Sequence, residues 1–171
     1  MSAPCIRSHL GILALVAAIW SSAAAAQGAN VFEQLSGSWA GSGTVRLANG
    51  ATERLRCDAQ YDVAANGQSL RQALRCRSDS YSIDLRTNVT HQGSSISGNW
   101  VEVTRNASGT LAGQAGGGQI RASVQGPGFA AGFGLTVRGN QQSININSQG
   151  TEVTQVSIVL RRTGGRAAAL P

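Results

Sequence analysis

Residues 53–77 read ERLRCDAQYDVAANGQSLRQALRCR, and this stretch decides the fold. Two runs of alternating apolar and polar residues flank Asn66-Gly67. Asn-Gly between such runs signals a two-residue hairpin, because both residues tolerate the positive φ of a type I′ turn. Folding the chain about that dipeptide pairs residues whose numbers sum to 133. Cys57 then faces Cys76, and Ala59, Tyr61 and Val63 face Leu74, Gln72 and Leu70 on the same side. On the other side Asp58 meets Arg75 and Asp62 meets Arg71, which are favourable cross-strand charge pairs. Turn, cysteines and charges select one register and predict a hairpin stapled by a Cys57–Cys76 disulfide.

The same alternation extends in both directions. Val31 to Ser36 suits a short helical turn or a lead-in. Trp39, Gly41, Gly43, Val45 and Leu47 then share one face of a first strand. After the hairpin, Tyr81, Ile83, Leu85, Thr87 and Val89 share a face, followed by Ile96, Gly98 and Trp100. The turn Asn106 to Gly109 leads to a weak strand around Thr110 to Gln114. Gly116 to Gly118 reads as a flexible hairpin connection, since no Gly-Lys-Ser/Thr ending supports a phosphate cradle. Ile120, Ala122 and Val124 form one further face, and Phe129, Ala131, Phe133, Leu135 and Val137 another. Gly139-Asn140 is a second hairpin signal; pairs summing to 279 set Leu135 against Ile144 and Phe133 against Ile146. Val156, Ile158 and Leu160 close the series. About eight to ten short strands joined by tight turns predict an all-β fold, a single up-and-down antiparallel barrel. A Greek-key sandwich is the alternative.

The 171 residues fit one domain behind an export signal. Arg7, the apolar run Leu10 to Trp20 and Ala24-Ala25-Ala26 form the three parts of a signal peptide over residues 1–26. Residues 27–162 make the barrel and 163–171 a disordered tail. The apolar run is shorter than the roughly 20 residues that span a bilayer. Cys5 leaves with the signal, so Cys57 and Cys76 remain as a pair that an oxidising compartment joins. The periplasm or the medium is the expected location. The net charge is +6, and all 14 basic residues are arginine. They are scattered along strands, which suits a solvated basic surface. Aromatics make up 5% of the chain, too few for a base-stacking platform, so no nucleic acid is expected as partner.

Gly37-Ser38-Trp39 on the first strand, with Arg161 or Arg162 ending the last, resembles the signature of the lipocalin-like (calycin) barrels. The chain is also similar to small exported barrel proteins of unassigned function from α-proteobacteria. The resemblance implies that Trp39 closes one end of the barrel with a guanidinium, that of Arg161, across its face. It also implies a cavity for a small apolar ligand. Trp39, Tyr61, Leu85, Trp100 and Phe133 are the foremost lining residues, joined by Leu55, Leu74, Ile83 and Ile144. The same alternation is equally satisfied by a filled core.

Little in the chain suggests catalysis. His91 is the one histidine after the signal, placed at a predicted turn, so a triad, a zinc site or a haem ligand on a late strand lacks its residues. No cofactor or metal is expected. Glu102 falls on the face of Trp100, inward or at a rim, where an arginine partner is its common fate. The expected activity is therefore non-enzymatic binding of a small hydrophobic molecule inside an exported barrel. Two alternatives stand beside it. One is a protease-inhibitor-like module acting through Gln27 to Leu35. The other is an outer-membrane barrel, against which the scarcity of girdle aromatics speaks.

Overall fold

The computed structural model describes residues 30–163. The expected signal peptide, and the expected tail beyond Thr163, lie outside that range. Helix α1 (Val31–Leu35) precedes ten strands: β1 (Gly37–Leu47), β2 (Thr52–Val63), β3 (Ser69–Arg77), β4 (Ser82–Gln92), β5 (Ser95–Glu102), β6 (Ala107–Gly116), β7 (Gln119–Gly126), β8 (Phe129–Arg138), β9 (Gln141–Gln149) and β10 (Val153–Arg162). Each strand pairs antiparallel with its sequence neighbours, and β1 closes on β10. The result is an up-and-down barrel without edges, which leaves no unpaired strand to aggregate.

The opening hairpin takes the predicted register: Cys57 faces Cys76, Tyr61 faces Gln72 and Val63 faces Leu70. The cysteines are joined, with Cα atoms 4.1 Å apart, and both are buried inside the barrel. The turn itself differs from the type I′ expectation. Only Gly67 takes positive φ (+68°), while Asn66 does not. Ala64 N–H bonds Ser69 O at 2.9 Å and Gly67 N–H bonds Ala64 O at 2.8 Å, so the loop is wider than two residues. It is centred on the same point, and the register survives. Asn66 instead accepts from Gln68 N at 3.0 Å, stiffening the turn with its side chain. Gly139-Asn140 does form a two-residue turn, and Leu135–Ile144 and Phe133–Ile146 pair as predicted.

Three local expectations are corrected. Asp58 and Asp62 face their arginines in register, but Arg75 gives its ion pair to Asp84 of β4 at 3.1 Å. β6 is a full ten-residue strand rather than a weak one, beginning at Ala107. Its glycines serve close approach: a Cβ on Gly109 would lie 1.9 Å from Gln125 O, on the neighbouring β7. His91 lies within β4 rather than at a free turn; it is half-buried, with its ring 5.5 Å from that of Phe32.

α1 plugs one end of the barrel. Asn30 caps it, accepting from Phe32 N at 3.1 Å, and its Nδ2 donates to Gly67 O at 2.7 Å. Val31, Phe32 and Leu35 point into the core and are buried. Below the helix, Trp39 donates from Nε1 to Leu35 O at 2.7 Å. Arg162 lies with Cζ 4.3 Å from the centre of the Trp39 ring and donates to the carbonyls of Gln34 and Ser36. A cation thus meets the carbonyl end of the helix. The guanidinium across Trp39 belongs to Arg162 and not to Arg161. Alternation explains this: Trp39 pairs with Arg162, whereas Arg161 faces Ala40 on the outer side and is exposed.

Candidate functional site

Among the described residues, none forms such a plug at the other end of the barrel. Above the closed end the strand walls enclose an apolar cavity of about 410 Å³. Leu74, Ile83, Leu85, Leu111, Phe133 and Ile144 line its walls, and Tyr81, Trp100, Phe129 and Val153 lie toward the strand ends that form the mouth. Its volume lies at the small end of the ~300–1,000 Å³ typical of ligand pockets.

Trp100 is set by the backbone around it. A Cβ on either Gly109 or Gly126 would come within 2.8 Å of Trp100 Cζ2, so the indole rests on two bare stretches of strand. Its Nε1 donates to Gln125 O at 3.2 Å. Phe129 packs against it at 5.4 Å with the rings tilted by 57°. This tilted arrangement suits the opposed charge of ring edge and face.

A short polar network crosses the barrel interior. Tyr61, Gln72, Thr87 and Trp100 occupy one row across β2, β3, β4 and β5. Gln72 Nε2 donates to Tyr61 OH at 3.3 Å, and Tyr61 OH donates to Gln142 Oε1 at 2.8 Å. Burial pushes the Tyr61 phenol well above its ordinary pKa, and the two amides only partly offset it, so it stays a neutral donor. Gln142 is fully buried, and its Nε2 has no partner among the described residues. Gln72 and Thr87 also reach the cavity lining.

The rim is organised by Glu102. Its carboxylate accepts from Asp84 N at 3.0 Å, Thr104 N at 3.3 Å, Thr104 Oγ1 at 2.5 Å and Arg105 N at 2.7 Å. Burial works to raise its pKa, but these donors outweigh burial and hold the carboxyl below the ordinary value. Arg105 pairs with it at 3.6 Å and lies over the Tyr81 ring at 4.1 Å. Glu102 therefore ties the β5–β6 turn to β4. That turn holds Asn106, the one non-glycine of positive φ among the described residues.

Of the residues singled out from the sequence, Leu85, Trp100 and Phe133 line the cavity, as do Leu74, Ile83 and Ile144. Trp39, Tyr61 and Leu55 are buried and are not among the lining residues. Trp39 belongs to the plugged end. Leu111, Phe129, Tyr81 and Arg105 are lining residues the sequence reading did not single out. Leu111 was hidden in the strand read as weak, and Arg105 lies beyond the alternating pattern. Among the described residues, no group of three or more His, Cys, Asp or Glu could hold a metal ion.

Neither the protein-family models nor the curated proteins yield a match to this chain. Solved structures do. Rv2717c from M. tuberculosis superposes with a TM-score of 0.61 at 13% identity, over 77% of this chain and 94% of that one. The S-type phycobiliprotein lyase from Guillardia theta gives 0.55 at 16% identity, over 79% and 92%. A DUF3598-family protein of unknown function from Nostoc punctiforme gives 0.55 at 14%, over 77% of this chain and 48% of that one. At these identities the likeness shows a shared fold, the lipocalin-like barrel.

Proposed function

We infer that this chain is an exported, non-enzymatic barrel that binds a small apolar molecule inside its open half. The observation that carries the reading is the contrast within one barrel: a cavity of about 410 Å³ walled almost wholly by apolar side chains lies directly above a plugged, fully packed end. Burial of a hydrophobic ligand there would contribute roughly 25 cal/mol per Å² of apolar surface removed from water. Gln72 and Thr87 supply the few polar contacts that orient such a ligand. The buried Cys57–Cys76 disulfide fits an oxidising compartment, as does cleavage near Gln27.

The alternatives fit less well. Val31–Leu35 is packed into the barrel end, so most of the segment needed for a protease inhibitor is already engaged. Among the described residues the outer face exposes only Val101, Val103 and Val159 as large apolar side chains, which does not suit contact with lipid.

The test is titration of the exported chain with the neutral dye N-phenyl-1-naphthylamine, followed by competition with long-chain lipids. Saturable fluorescence is expected, abolished by Leu85→Trp, which fills the cavity, with secondary structure retained. A chain that gives no saturable signal, or a Leu85→Trp variant that binds as well as the parent, would overturn the reading. Periplasmic fractionation with N-terminal sequencing checks the export step.

A further inference from the structure

We propose that the outer wall of the barrel over β10, β1, β2 and β3 is a binding groove for an acidic glycan, a sugar chain bearing carboxylate or sulfate groups. This surface lies outside the barrel and does not depend on the interior ligand.

The first observation is a set of arginines without carboxylate partners. Arg54 and Arg56 on β2 and Arg77 on β3 point outward and are exposed. Arg56 and Arg77 stand directly opposite each other in the β2–β3 ladder. Like charges in that position are destabilising. An acidic neighbour would relieve the cost, yet the ion pairs among the described residues involve only Arg75, Arg86 and Arg105. Arg75, which stands opposite Asp58 beside this set, gives its guanidinium to Asp84 instead. Among the described residues only Asp58 and Asp79 flank the pair, and neither forms an ion pair with it, so an outside anion has repulsion left to relieve.

The second observation is shape. These arginines form one flank of a groove of about 1350 Å³. Its floor carries the short hydroxyl and amide side chains of Ser42, Thr44, Ser157 and Asn145, with Val159 beside them. Ser157 donates to Asn145 at 3.0 Å, so the floor is already an ordered polar surface. Asp58 and Asp79 also line the groove; by register they bracket the Arg56–Arg77 pair along the strand direction.

The two together select the partner. Guanidinium forks bind carboxylate or sulfate in two-point fashion. Hydroxyl and amide groups match sugar hydroxyls as both donors and acceptors. No aromatic side chain lines the groove, so it offers neither a stacking platform for bases nor a wedge for a bilayer.

The experiment is calorimetric titration of the full exported chain at low ionic strength with polygalacturonate oligomers, with dextran oligomers as the neutral counterpart. Binding to polygalacturonate and none to dextran is expected. Arg56→Gln with Arg77→Gln should weaken it about tenfold or more, as loss of two charge-assisted contacts implies. The same double variant should melt no lower than the parent, because it removes a like-charge pair. Arg121→Gln with Arg138→Gln makes the same charge change on the opposite wall and should leave binding within about twofold. Equal loss in both double variants would mean general charge attraction and overturn the proposal. So would failure to bind polygalacturonate, or binding confined to phosphatidylglycerol vesicles or to DNA.

Discussion

The two ends of this barrel are built from the same alternating strands, yet one is solid and the other hollow. At the closed end each polar group brought in by the plug finds a partner. Asn30 meets Gly67, Trp39 meets Leu35, and Arg162 takes the carbonyls of Gln34 and Ser36. At the open end Trp100 and Phe129 are as aromatic as Trp39 and Phe32, but among the described residues no segment crosses above them. The difference teaches that aromatic side chains on an inward face do not by themselves make a core. A segment must also arrive whose backbone can be satisfied there, because an unpaired buried polar group costs about 1–3 kcal/mol. Where α1 supplies that segment, apolar surface becomes stability. Where none of the described residues does, the same kind of surface lines a cavity.

Truncating the anchor of each end gives the largest expected difference. Trp39 is 1% exposed, and Trp39→Ala should cost about 3–5 kcal/mol by chemical denaturation. It also removes the ring face over which the Arg162 guanidinium lies. Phe133→Ala removes a half-buried ring that already borders a cavity, so its cost should fall below about 3 kcal/mol. Dye binding should report the reverse order, with Phe133→Ala changing affinity more than Trp39→Ala in protein that remains folded. Equal losses of stability at the two sites would break the contrast.

The disulfide tests whether the wall between the two ends is held by the staple or by the ladder. Replacing both cysteines with alanine should cost at most about 3 kcal/mol, since the loop it closes is short and the hairpin already brings the ends together. The midpoint of denaturation should fall while secondary structure stays.

The register of the opening hairpin was legible in the sequence because three independent features coincided on it: the Asn66-Gly67 turn, the two cysteines and the opposite charges that face each other in register. The second hairpin followed from Gly139-Asn140 in the same way. Turn chemistry was less legible, since a wider loop centred on the same residues preserves every pair. β6 was underrated because its glycines weaken the strand signal, although they are what lets β6 and β7 approach each other. Choosing Arg161 over Arg162 was a one-residue matter, and in a strand one residue reverses the face. The cavity was implied by the resemblance alone and was not legible in the strand pattern. Alternation gives the same pattern whether an inward face meets another side chain or an empty volume. Which end was plugged depended on a five-residue helix, too short to carry a period of its own.

Asn30 is where the plug is fixed at its outer edge. Asn30→Ala removes both the helix cap and the bond to Gly67, and should cost about 1 kcal/mol, the usual worth of a cap. The loss should be confined to the closed end. Amide exchange should quicken at Phe32 and Gln34 and stay unchanged along β5 and β6, with dye affinity unaltered. Faster exchange at the mouth would mean that the two ends are one cooperative unit.

The smallest expected effect lies at the rim and comes from Glu102. Burial alone would raise its pKa above the ordinary 4.5; hydrogen bonds from Thr104, Asp84 and Arg105 reverse that and hold it lower. A carboxyl held below its ordinary value binds its proton less readily in the folded chain than in the unfolded one. Its contribution to stability is therefore complete above about pH 4.5 and is lost as pH falls through the lowered folded value. Across that acid window the amides of Asp84, Thr104 and Arg105 should lose protection while those of the plug keep theirs. Glu102→Gln removes the titrating group, so the same amides should exchange faster at neutral pH and change little on acidification. If they remain acid-sensitive in that variant, another group holds the β5–β6 turn, and the mouth is tied down by more than the one carboxylate that the geometry assigns to it.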